Sequence, residues 1–120
     1  MKRTIETNAG ALTLECNAAT PFAVKRLCGF DMLRYFTETN IDEGLSLDQI
    51  ERFEMIIYIM HLQAVKSTRE VLNETMDEFP EWLATYSIQE MTSEIIPEGV
   101  NLWTISEQTS AQAKNPGGPQ

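Results

Sequence analysis

The sequence is poor in the groups that do chemistry. It holds one histidine, His61, and two cysteines, Cys16 and Cys28. One histidine and two cysteines without CxxC spacing do not complete a usual zinc site, and two cysteines are too few for a disulfide scaffold. There is no GxGxxG, no P-loop and no GxSxG. His61 lies in the most apolar stretch with no motif to supply a nucleophile or an orienting carboxylate, so it reads as a core or boundary histidine. The cysteines read as buried free thiols. Glu51 and Glu54 fall one helical turn apart, and a solvated helix face explains them without acid–base work. The expectation is a protein that is not an enzyme, with no catalytic residues, no metal ligands and no cofactor.

Other absences narrow the class. The most apolar window, Met55 to Val65, is far short of the roughly 20 residues a membrane span needs. The opening MKRTIETNAG has two bases but no apolar run behind them, unlike a signal peptide. Bases are scarce where acids are not. From Glu70 onward there are nine acids (Glu70, Glu74, Asp77, Glu78, Glu81, Glu90, Glu94, Glu98, Glu107) against one base, Lys114, so nearly all of the net charge of −9 belongs to the second half. Such a surface repels phosphate backbones and attracts a basic protein, or it serves solubility alone. The expectation is a soluble, intracellular protein that binds neither nucleic acid nor membrane.

What is present is enough for one domain: 120 residues, 42% of them hydrophobic. Leu12, Leu14 and Cys16 alternate with Thr13 and Glu15, the period of a strand with one buried face. Asn8-Ala9-Gly10 turns back to a shorter strand around Arg3 to Glu6. Two strands are marginal alone and must pack on helices or on another chain. A helix begins at Thr20-Pro21, with threonine as the cap and proline in the first turn, and is expected to run to Glu38 with Gly29 in its interior. Glycine there costs roughly 1 kcal/mol, so something packs closely or the helix bends. The second helix opens on the capping box Ser46-Leu47-Asp48-Gln49. Leu47, Ile50, Phe53, Ile57, Met60 and Ala64 then step at helical spacing, and Ile56, Tyr58, Ile59 and Leu62 widen the apolar surface until it nearly encircles the helix. Such a helix is the core.

The acidic half carries shorter helices. Phe79, Trp82, Leu83 and Tyr86 share a face, with Thr75 or Asp77 as cap and Pro80 in the first turn. That stripe reads as core packing, with an interface anchor as the alternative. Ser87-Ile88-Gln89-Glu90 offers another capping box before Met91, Ile95 and Ile96. Pro97 and Gly99 interrupt, and Val100, Leu102, Trp103 and Ile105 form a last apolar patch. Trp103 reads equally as core or as interface. Residues 106–120 have no large apolar side chain and end in Pro-Gly-Gly-Pro-Gln, the composition of a disordered tail. The fold class is mainly α (α+β): a small N-terminal β-hairpin packed on four to five helices over residues 1–105. The protein-binding candidates are Leu102, Trp103 and Ile105 with the acids Glu90, Glu94 and Glu98.

Several segments resemble a known family. Ala19-Thr20-Pro21, Val24-Lys25 and Gly29-Phe30-Asp31-Met32-Leu33 resemble the "ATP…YK…FGKDLL" region of the tail assembly chaperones of long-tailed phages of Gram-positive bacteria. Val24 and Cys28 stand where that region has aromatics. The apolar helix from Ile56 to Ala64 follows at the family's distance, Phe79-Pro80-Glu81-Trp82-Leu83 resembles its "F-x-E-W-L" segment, and Leu102-Trp103 falls near its end. The resemblance covers roughly residues 3–105; each motif is short, and specificity comes from order and spacing. It implies a protein made in the host bacterial cytoplasm, from a phage or prophage, and absent from the mature virion. It would bind and shield the tape measure protein, help recruit the major tail (tube) protein, and self-associate weakly. The competing reading is a small acidic adaptor or regulator, of anti-repressor or antitoxin type, with a basic protein partner.

Overall fold

A computed structural model describes residues 1–114. Its order is two strands and then helices. Strands β1 (Lys2–Thr7) and β2 (Gly10–Glu15) form an antiparallel hairpin closed by Asn8-Ala9. Helices α1 (Thr20–Cys28), α2 (Met32–Glu38), α3 (Leu47–Val65), α4 (Thr68–Leu72), α5 (Phe79–Leu83), α6 (Ile88–Glu90) and α7 (Ile96–Lys114) follow. A 3-10 turn at Ile41–Glu43 precedes α3, and a π turn at Met91–Ile95 joins α6 to α7. The α+β class expected from the pattern is the one observed.

Everything is arranged around α3. Phe53, Ile56, Ile57, Tyr58, Ile59, Met60 and Leu62 are buried, and the helix packs against β2, α1, α4, α5 and α7. Its N-terminus carries the full capping box: the Ser46 hydroxyl accepts from the Gln49 N–H while the Gln49 side chain accepts from the Ser46 N–H. The hairpin lays Leu12, Leu14 and Cys16 into the core, as the alternation requires. Its open end is held twice. Met1 and Cys16 exchange two hydrogen bonds of 2.9 Å, and the Arg3 guanidinium meets Glu98 at 2.6 Å.

Four departures from the sequence expectation have clear causes. The helix begun at Thr20 stops at Cys28, because Gly29 takes the left-handed conformation (φ 83°) that ends helices, and Asp31 caps a new helix through the Arg34 N–H. Thr20 is not the cap. It is fully buried, and its hydroxyl donates to Gln63 at 2.6 Å while accepting from the Asn17 N–H. Helix α4 appears where no apolar period suggested it, nucleated by a capping box at Ser67 and Glu70. The chain from Ile88 to Lys114 is not interrupted at Pro97 and Gly99. Ile96 donates to the Met91 carbonyl five residues back, and this wide turn lets the helix pass a proline, which has no N–H to give.

The same helix corrects the tail boundary. Residues 106–114, expected as disordered, continue α7. Leu102, Trp103 and Ser106 are buried and hold the preceding turns in place. Extending an existing helix through Gln, Thr, Ser, Ala and Lys costs little, and no proline or glycine intervenes before Pro116. The rest of the tail call, residues 115–120, lies outside the described residues.

Gly99 has a specific reason to be glycine. A Cβ built there would overlap the Ile57 Cδ1 and touch Leu14 at 3.7 Å, so the α7 backbone rests directly on the Ile57 side chain of α3. Gly99→Ala is expected to destabilise the fold by about 1–2 kcal/mol despite alanine's roughly 1 kcal/mol helix advantage. Ile57→Val, which deletes the obstructing methyl, should cost less in the Gly99→Ala background than in the parent. Urea denaturation of the four proteins of this cycle is the measurement; an equal cost in both backgrounds would refute the close crossing.

Candidate functional site

The residues singled out as a binding surface are dispersed by the fold. Leu102 is fully buried, and Trp103, only 8% exposed, stacks against Phe36 with ring centroids 6.4 Å apart. Ile105 is half-buried. Glu90 is also 8% exposed, and its carboxylate accepts from the Asn8 N–H at 2.8 Å, so it secures the hairpin turn. Glu98 is taken by Arg3. Of the six, Glu94 alone projects freely into solvent. Four candidates are thus engaged internally. The apolar patch had to be buried because α7 closes the core, and Glu90 was drawn in because a two-residue hairpin turn leaves an N–H that needs an acceptor.

His61 and Cys16 are placed as the sequence suggested, Cys28 is half-buried rather than buried, and Glu54 departs further. His61 is half-buried, its Nδ1 3.4 Å from the Thr13 carbonyl and its ring stacked on Trp82 at 6.0 Å. Burial holds its pKa below the ordinary value, with the Thr13 contact opposing. Both thiols are free; Cys16 is buried and Cys28 half-buried, and the partial burial of Cys28 pushes its thiol up to about 12. Among the described residues no group of three or more His, Cys, Asp or Glu is placed to hold a metal ion. No helix of the described residues is long and apolar enough to cross a membrane.

The largest departure is Glu54. Expected on a solvated face, it is 8% exposed, because α5 and α6 close over that side of α3. Burial raises its pKa, and Glu51 one turn away adds to the rise. Glu54 lines a recess of about 380 Å³ between the first turns of α3 and the α5–α6 segment, with Leu47, Ile50, Leu83, Ile88 and Met91 as its apolar lining. Leu47 and Ile88 stand at the mouth, 74% and 66% exposed. A second recess of about 750 Å³ lies between α2, the 3-10 turn and α7, lined by Phe36, Leu45, Ile96 and Val100 together with threonines and asparagines. The recess at α3 is the stronger candidate, since it combines exposed apolar side chains with charge of one sign. Sequence reasoning missed it because Leu47 read as part of the apolar stripe of its helix, Ile88 only as a member of a capping box, and Glu54 as solvent-facing. The signal that could have found it was Glu54 itself, placed directly between the core positions Phe53 and Ile56.

Comparison with known protein families, curated proteins and solved structures finds no match to this chain.

The Glu54 environment has a measurable consequence. The native state keeps the Glu54 proton to higher pH than the unfolded chain, whose value is near the ordinary 4.5. Its contribution to stability is therefore complete below that value and is lost as pH rises through the raised native one. Glu54→Gln should raise the urea midpoint at pH 7, and the gain should shrink to nothing below about pH 4. A gain that is the same at both pH values would place the carboxylate in water.

Proposed function

We propose that this chain acts by holding another protein, as a phage tail assembly chaperone that shields the apolar helices of the tape measure protein in the infected cell. The observation that carries the reading is the acid-lined apolar recess on α3. A chaperone for a helical client needs an apolar seat that stays open before the client arrives, and a helix laid in a groove is a common way of meeting that need. Exposed apolar side chains rimmed by charge also mark interaction surfaces more generally.

The segments that resemble the family have structural work that accounts for their residue types. Gly29 and Asp31 make the joint between α1 and α2. Phe79-Pro80-Glu81-Trp82-Leu83 is α5 itself, with Pro80 in its first turn and Trp82 packed on Tyr58 at 5.2 Å. In this reading the chain also helps recruit tail tube subunits, associates weakly with itself along a long client, and does not remain in the finished virion. A general acidic adaptor with a basic partner is favoured by the nine acids after residue 69, but Glu74, Glu90 and Glu98 are drawn into internal contacts, which thins that face.

Gene order and co-expression test the proposal. The gene is expected between a tail tube gene and a very long tape measure gene, and co-expression should keep fragments of the neighbouring tape measure protein soluble and co-purifying. Fragments that stay insoluble and do not co-purify would refute the chaperone reading.

A further inference from the structure

The recess on α3 has a lining specific enough to name the chemistry of its occupant. Asp48, Glu51 and Glu54 succeed one another at three-residue steps along α3, and all three border it. Ile50, Leu83 and Met91 supply the apolar floor, and Leu47 and Ile88 the lips. Glu54 is more than nine-tenths buried, yet it accepts no hydrogen bond and joins no ion pair among the described residues, where the ion pairs are Lys2–Glu15, Arg3–Glu98 and Lys66–Glu74. Its carboxylate therefore faces the recess rather than a protein partner, where a cation brought by a ligand would pair with it in partly desolvated surroundings.

We propose that this recess is the docking groove for an amphipathic helix of another protein, one that inserts leucine-sized side chains between Leu47 and Ile88 and pairs a lysine or arginine with Glu54. The apolar lips lose their contact with water only if the occupant is apolar on the facing side. The acids on one wall require that its flank be basic. A second copy of this chain is disfavoured by charge, since each copy carries a net charge of −9 and the groove wall is acidic. The chain's own last residues, 115–120, are Asn-Pro-Gly-Gly-Pro-Gln and offer neither a base nor a large apolar group. The proposal rests on the chaperone reading for the identity of the client, while the groove and its preference for a basic amphipathic helix are argued from the recess itself.

The test uses the full chain, labelled for amide NMR, and a synthetic helical peptide of about 14 residues, a length of roughly 21 Å. It carries leucines at helical spacing on one face and lysines on the rest. The same composition in scrambled order, and the same pattern with glutamate for lysine, are the comparisons. The expected result is a set of shifts confined to Leu47, Ile50, Glu54, Leu83, Ile88 and their neighbours, with binding at least about tenfold tighter than for either comparison peptide. Glu54→Gln should weaken binding by about threefold to tenfold, the usual scale for one partly buried charge pair. Ile88→Asp, a change at an exposed position that leaves the core intact, should weaken it by more than about tenfold. Equal binding of the scrambled peptide, or shifts spread over the acids of α4 to α7, would overturn the groove, as would an unchanged affinity in Glu54→Gln. The tape measure fragments separate the two claims. A chain that takes the peptide in the groove but leaves the fragments insoluble overturns the chaperone reading alone. Fragments held equally well by the parent and by Ile88→Asp overturn the groove alone.

Discussion

A helix of nineteen residues whose apolar side chains run most of the way round it cannot be covered by one neighbour. It needs partners on several sides, and that requirement organises the molecule. The hairpin covers one side with Leu12, Leu14 and Cys16; α1 brings Ala23 and Val24; α4 and α5 bring Val71 and Phe79; α7 brings Ile96 and Leu102. None of these elements is stable alone: α4 and α5 have five residues each, and a lone two-stranded hairpin is marginal in water. Their stability is borrowed from α3, so the fold is expected to come apart as one cooperative unit rather than element by element.

The sides of α3 that are covered least well are where the binding proposal arises. At its N-terminal end, α5 and α6 close over Glu54 without meeting Leu47, and α6 begins with Ile88 in solvent. Enclosing an apolar helix with short pieces leaves seams, and the seam here contains Glu54, whose carboxylate faces the recess instead of a protein partner. Burial of Glu90 is different in kind, because one of its oxygens accepts from the Asn8 N–H in the hairpin turn. Two acids with the same residual exposure therefore have opposite meanings, one a closed contact and the other an open one.

Much of the architecture was legible from spacing and caps. The hairpin, the capping box at Ser46, the burial of α3 and the half-buried placing of His61 follow from period-2 and helical patterns and from polar groups at helix starts. The break at Gly29 was visible only as a tension, because glycine inside a helix and glycine after one look alike until the left-handed φ is known. Helix α4 went unread since its signal is a cap, Ser67 with Glu70, and not an apolar period. The binding surface was the least legible part. Trp103 and Leu102 are ordinary interface residues by type, and only the crossing of α7 over α3 makes them core. Exposure of Leu47 and Ile88 depends on where α5 and α6 end, which no local pattern encodes.

The π turn at Met91–Ile95 governs the azimuth of everything after it. One residue corresponds to about 100° of rotation about a helix axis, and the wide turn accommodates what amounts to one extra residue between Glu90 and Gly99. That spacing lets Glu90 face the hairpin turn while Gly99, nine positions on, faces Ile57. The segment is therefore sensitive to length rather than to composition. Conservative exchanges at the exposed Ser93 or Glu94 leave the phase alone, whereas loss of a single residue would turn the whole of α7 by about a quarter of a revolution and carry Trp103 out of register with Phe36.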